Sequence, residues 1–200
     1  MDYQDTPTAG FVEYMQDVEN APLREKFKLD PDYITTPHDS PEGGRKTTAF
    51  GHKLKGAESY PGLTQTEAND LLREDIGVAF KATGSYVDKN FGEGTWRGLP
   101  QSSREALTDY QYNLKGGVAS FPSLTKAVID QDQPNIVREF RRGYTDKDGV
   151  KKDLSRRNQK WWQKFGRPMT GVKYQQTASV AKTLTDLEAS GVNLEGVSFK

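Results

Sequence analysis

Residues 39–54 read Asp39-Ser40-Pro41-Glu42-Gly43-Gly44-Arg45-Lys46-Thr47-Thr48-Ala49-Phe50-Gly51-His52-Lys53-Leu54. Pro41 presets a turn, and the Gly43-Gly44 pair supplies the positive φ that a tight hairpin requires. After the turn, Thr47, Thr48 and Phe50 favour a strand, with Thr47 and Thr48 on opposite faces. By spacing alone the stretch is a surface hairpin with charged residues at its tip. What lies on either side of it adds a second reading.

Upstream, Thr6-Pro7-Thr8 starts a helix in which Phe11, Tyr14, Met15 and Val18 recur at helical spacing. Pro22 is expected to end it, which puts Glu19 at the edge of the apolar stripe and near the helix C-terminus. The negative end of the helix dipole and partial burial both favour a protonated carboxyl there, as a general acid needs. A structural glutamate bonded to a lysine is the plainer alternative. Lys26-Phe27-Lys28 is a candidate first strand, and Asp30-Pro31-Asp32 and Thr36-Pro37-His38 read as turns.

Downstream, Thr64-Gln65-Thr66-Glu67 has the form of a capping box, and Ala68, Leu71, Leu72, Ile76, Ala79 and Phe80 follow on one face. The expected helix, 64–80, is long enough to join a small sheet-bearing lobe to a helical one. Residues 90–100 form a glycine-rich connector. A second capping box, Ser102 to Glu105, opens a helix with Ala106, Leu107, Tyr110 and Leu114 that Gly116-Gly117 stops. Asn113, just before that stop, either points into a cleft or caps the helix end. Shorter helices are expected at 123–131 and 134–143. Asp146-Lys147-Asp148-Gly149 is a turn without the remaining ligands of a calcium loop. Leu154, Arg157, Trp161, Trp162 and Phe165 make an amphipathic helix whose tryptophans belong to the core. Val180, Ala181, Leu184 and Leu187 give one more helical pattern at the end.

The chain has 200 residues, enough for one domain or two small lobes, and balances 28 bases against 28 acids. The charge is unevenly spread: ten acids and three bases fall in residues 1–42, twelve bases and four acids in 136–173. Such an asymmetry suits a surface facing an anionic polymer. Acids interleave the basic segment and no nucleic-acid-binding motif accompanies it, so no nucleic-acid partner is expected. The absence of cysteine excludes disulfides and thiolate metal sites. The first thirty residues lack a basic start and an apolar run, so neither a signal peptide nor stable membrane insertion is expected.

Glu19, an acidic turn from Asp39, Thr47 and then Gly51-His52 fall in an order that resembles the phage lysozyme family, glycoside hydrolase family 24 of the T-even phage type. Two later stretches are also similar to it. One is Ala106-Leu107-Thr108-Asp109-Tyr110-Gln111-Tyr112-Asn113-Leu114-Lys115-Gly116-Gly117-Val118. The other is Leu154-Ser155-Arg156-Arg157-Asn158-Gln159-Lys160-Trp161-Trp162. The resemblance covers roughly residues 8 to 166. Residues 23–38 are longer and more polar than the family pattern and leave the second acid open among Asp39, Glu42 and Asp30.

The resemblance implies an α+β, lysozyme-like fold, mostly helical with a small antiparallel sheet or hairpin lobe. Residues 1–170 would be the catalytic domain, with a β lobe at about 20–62 and a helical lobe at about 63–170; residues 171–200 would be a C-terminal helical extension. The implied activity is cleavage of the β-1,4 bond between N-acetylmuramic acid and N-acetylglucosamine. A lytic transglycosylase and a non-catalytic wall-binding or virion module are the alternatives. Glu19 would be the proton donor, Asp39 the second carboxylate with Glu42 and Asp30 as rivals, and Thr47 a holder of the attacking water. His52 and Asn113 would serve substrate binding, His52 as partner to an acid rather than as a base. No metal or cofactor is called for. Peptidoglycan is the implied partner of a monomeric domain, and the extension offers a contact to a virion. The implied location is the host cytoplasm before export by another protein, or the particle itself.

Overall fold

Thr8 begins the first helix by accepting a hydrogen bond at its Oγ1 from the Phe11 backbone N–H at 3.1 Å. In the computed structural model, which describes residues 6–27, 37–39, 46–55, 58–60, 62–114, 116–145 and 149–171, this helix (α1) runs from Ala9 to Phe27. It therefore continues through Pro22, which was expected to end it. Residues 23–26 are strong helix formers that carry it past the lost hydrogen bond and the ring clash of a proline. Lys26 and Phe27 are consequently helical and form no strand.

The stretch around residue 46 builds a three-stranded antiparallel sheet: β1 (His38–Asp39), β2 (Lys46–Thr48) and β3 (His52–Lys53), in that order. Asp39 lies opposite Lys46, His38 opposite Thr47, and Thr48 opposite His52. Phe50 was expected on the strand, but it sits in a tight turn between β2 and β3. Ala49 (φ 50°) and Gly51 (φ 91°) reverse the chain there.

Helix α2 (Gln65–Phe91) opens with the expected capping box: Thr64 N–H donates to Glu67 Oε2 at 2.7 Å, and Glu67 N–H to Thr64 Oγ1 at 3.2 Å. It runs eleven residues past the expected end at 80. The chain divides into two compact units, Met1–Ser85 and Tyr86–Lys200, and the division falls inside α2. The buried apolar set of the first unit is Phe11, Tyr14, Met15 and Val18 from α1, Ala49 and Phe50 from the turn, and Ala68, Leu72, Ile76, Ala79 and Phe80 from α2. Gln16 Nε2 donates to Asn69 Oδ1 at 2.8 Å and ties α1 to α2.

The second unit continues with α3 (Thr95–Gly98) and α4 (Gln101–Asn113). The capping box expected at Ser102 does not form. Pro100 is the cap, Ser102 falls inside the first turn, and Glu105 accepts instead from Gln101 Nε2 at 3.0 Å. A 3-10 turn (Gly117–Ser120), α5 (Pro122–Asp130) and α6 (Gln133–Glu139) follow. α6 ends four residues earlier than expected because the chain turns into an antiparallel hairpin, β4 (Gly143–Thr145) with β5 (Lys151–Asp153), which the sequence pattern does not announce. The last elements are α7 (Ser155–Trp161), a π turn (Trp162–Gly166) and α8 (Arg167–Thr170). The protein is thus mostly helical with small antiparallel sheets, an α+β arrangement. The expected extension, beyond Gly171, lies outside the described residues.

Trp161, Trp162 and Phe165 are buried core side chains, as their helical spacing predicts. Trp162 packs on Phe140 at 4.5 Å between ring centroids, and Trp161 donates its Nε1–H to Ala106 O at 3.1 Å. Gly166 is required by this packing: a Cβ there would fall 2.4 Å from the Trp162 ring.

Candidate active site

Glu19 lies about two turns before the end of α1, not at its C-terminus. The dipole argument for its protonation therefore does not apply, since the effect fades within the last turn. Its surroundings are set by tertiary packing instead. The half-buried carboxylate faces the turn between β2 and β3, with Oε2 3.9 Å from the point a Cβ on residue 51 would occupy. The positive φ of residue 51 suits glycine, and a Cβ there would stand in ordinary van der Waals contact with the carboxylate.

Thr47 and Thr48 precede that turn on β2, and both are buried. The Thr48 hydroxyl has no hydrogen-bond partner among the described residues. Asp39 enters the same sheet through the pairing of its backbone with Lys46 on β2, so the strand of Asp39 and the strand of Thr47 are neighbours. Glu42 and Asp30, its rivals for the second acid, lie outside the described residues.

His52, on β3, is held between two carboxylates. Its Nδ1 lies 2.8 and 3.0 Å from the two carboxylate oxygens of Asp75 on α2, and its Nε2 lies 3.4 Å from Glu58 Oε2. Glu58 is fixed in turn by accepting from the Lys55 backbone N–H at 2.7 Å, and the Tyr60 ring meets the imidazole edge-on at 5.9 Å. Burial pushes the Asp75 carboxyl up from its ordinary range, against the opposing pull of the His52 hydrogen bond. The hydrogen bond from Lys55 N–H holds Glu58 below the usual range. The hairpin end is thereby clamped onto α2.

Sequence reasoning did not single out Asp75. The signal was present: it lies four residues from both Leu71 and Ala79 and next to Ile76, an acid on the border of an apolar stripe.

Asn113 belongs to the second unit as the last residue of α4, half-buried, and its Oδ1 has no partner among the described residues. The two stretches that carried the later part of the resemblance meet elsewhere in that unit. Asp109, from the first, is fully buried and binds Arg157 Nη2, from the second, and Arg142 Nη1, each at 2.5 Å. Asn158 accepts from Arg142 N–H at 3.0 Å and donates to Arg142 O at 2.9 Å. The Arg142 guanidinium lies over the Tyr110 ring at 4.2 Å, and the Tyr110 hydroxyl donates to Phe140 O. Burial would raise the Asp109 carboxyl, but the charges of Arg142 and Arg157 outweigh it and hold it below the usual range. Burial pushes the Tyr110 hydroxyl up. These residues form an ionic core.

Among the described residues no helix is long and apolar enough to cross a membrane. Comparison with protein-family models and with curated proteins finds no match to this chain.

Proposed function

We propose that this protein is a peptidoglycan hydrolase, an N-acetylmuramidase with a lysozyme-like fold that cleaves the β-1,4 bond between N-acetylmuramic acid and N-acetylglucosamine. The observation that carries the reading is the approach of the helix-borne Glu19 carboxylate to the hairpin turn at Gly51. Residues 32 positions apart, which the resemblance to phage lysozymes links only by order, are thereby neighbours in space.

In this reading Glu19 donates its proton to the leaving glycosidic oxygen. Asp39 opposes the positive charge that develops on the sugar ring, and Thr47 helps hold the attacking water. Asp75 and Glu58 keep His52, and with it the end of the hairpin, in place. Asn113 is proposed to contact substrate. Peptidoglycan is the partner, met either during host lysis or on entry from a particle.

Zymography on purified peptidoglycan with the wild type and Glu19→Gln tests the proposal. The variant keeps the shape of the side chain but carries no transferable proton, and a general acid of the usual size contributes about 10²–10⁴-fold. Clearing by wild type with loss in the folded variant is expected. Retention of more than about a tenth of the activity excludes the role of Glu19. Mass analysis of the products separates the reaction types: a reducing end marks hydrolysis, and an anhydro product marks a lytic transglycosylase.

A further inference from the structure

Both ring nitrogens of the buried His52 meet carboxylates: Nδ1 meets Asp75 on α2 at 2.8 and 3.0 Å, and Nε2 meets Glu58 Oε2 at 3.4 Å. A local ring of bonds aims the second carboxylate. Glu58 N–H donates to Lys55 O at 3.0 Å, and Lys55 N–H donates back to Glu58 Oε2 at 2.7 Å. This turn, together with the Tyr60 ring edge-on to the imidazole at 5.9 Å, forms a strap on the more exposed side of His52. The bases nearby are Lys53, next on β3, and Lys55, whose charge reaches both acids. Glu74 adds its charge beside Asp75, and Glu19 faces the turn at the preceding residue, Gly51. Thr48, directly opposite His52 on β2, contributes only an uncharged hydroxyl.

An ionised carboxylate only accepts hydrogen bonds, so both contacts hold together only if each ring nitrogen donates. The imidazolium ion has two N–H groups, and neutral imidazole has one. The two partners are unequal. Asp75 offers both oxygens at shorter distances, and its side chain is 24% exposed against 36% for Glu58, a setting that strengthens the bond. We infer that the strap is a proton-dependent latch: the Lys55–Glu58 turn and Tyr60 are seated on the hairpin end while His52 carries both ring protons, and are released when Nε2 loses its proton. The remaining proton stays on Nδ1, shared with Asp75. The bare Nε2 lone pair then faces the Glu58 carboxylate, acceptor against acceptor. Glu58 does not relieve this by taking up a proton itself, because the Lys55 N–H holds its carboxyl below the usual range. The hairpin end stays tied to α2 in both protonation states, and only the strap responds. The latch rests on this geometry and is independent of the hydrolase reading.

The test is NMR of the full chain with isotope-labelled histidine, through a pH series that crosses the titration of the His52 ring, in the wild type and in Glu58→Gln. In the wild type the neutral ring is expected to carry its proton on Nδ1. The nuclear Overhauser contact between the Tyr60 and His52 rings should be lost in step with the Nε2 proton. The amide of the Glu58→Gln variant can accept from a protonated Nε2 and donate to a bare one, so there the contact should persist across the whole series. The replaced side chain is partly exposed, and circular dichroism checks that the variant folds. A neutral ring protonated on Nε2, a Tyr60 contact indifferent to the titration or absent at its acid end, or the same loss in Glu58→Gln each overturns the inference. So does a ring that keeps both protons until the chain unfolds, since the latch then never opens.

Discussion

The carboxylate of Glu19 and the backbone of Gly51 are in close approach, with 3.9 Å between Glu19 Oε2 and the point where a Cβ on residue 51 would stand. The approach leaves room for a Cβ at van der Waals distance, so it is the positive φ of residue 51 that favours glycine there. Gly51→Ala places a methyl in ordinary contact with the carboxylate and forces alanine to φ 91°, where L side chains are strained. A loss of about 1–3 kcal/mol in stability is expected, together with reduced wall hydrolysis as the turn shifts against Glu19. Thermal unfolding and turbidity clearing measure both. A variant as stable and as active as wild type would show that the glycine is dispensable.

The second acid is decided by three parallel variants. Asp39 sits on β1 beside the strand of Thr47, so Asp39→Asn is expected to cost far more activity than Glu42→Gln or Asp30→Asn. A positioned carboxylate acts on a developing cation, and an amide cannot replace it. Each variant is checked for folding and assayed on the same sacculi. Near-full activity in Asp39→Asn with collapse in one rival transfers the role to that rival.

The Asp75–His52 clamp gives a pH dependence of definite sign. The folded Asp75 carboxyl holds its proton above the ordinary aspartate range, so over that window the native state binds more protons than the unfolded chain. Its contribution to stability is therefore greatest below the ordinary range and falls as pH rises toward the folded value. Urea unfolding at a series of acidic pH values, wild type against Asp75→Asn, reads this directly. The wild-type stability relative to the variant should decline with rising pH across the window, and a difference that grows instead would refute the assignment.

Asp109 behaves in the opposite sense. Its carboxyl is held low by Arg142 and Arg157, so its contribution is complete above the ordinary aspartate range and is lost as pH falls through the depressed folded value. Asp109→Asn leaves two buried guanidinium groups without their counter-charge and is expected to cost about 3–5 kcal/mol, a large part of the stability of a domain this size. Denaturant titration near neutral pH is the measurement. A loss below about 1 kcal/mol would mean that the arginines find other compensation.

What could be read from the sequence was local. The Thr8 start of α1, the capping box from Thr64 to Glu67, the apolar row through Leu72, Ile76 and Phe80, and the burial of Trp161 and Trp162 all follow from residues a few positions apart on one helix. Hydrogen-bond reach and helical period settle such features before any tertiary contact forms. The order Glu19, Asp39, Thr47, Gly51, His52 was likewise open to reading as an order. The tertiary structure decided which side chains meet. It carried α1 through Pro22, set Glu19 against Gly51, clamped His52 to Asp75 across 23 positions, and joined Asp109 to Arg142 and Arg157 across 33 and 48. Partners so far apart are chosen by the burial of the whole apolar set and the closure of the loops between them, and no short window of residues contains that free energy.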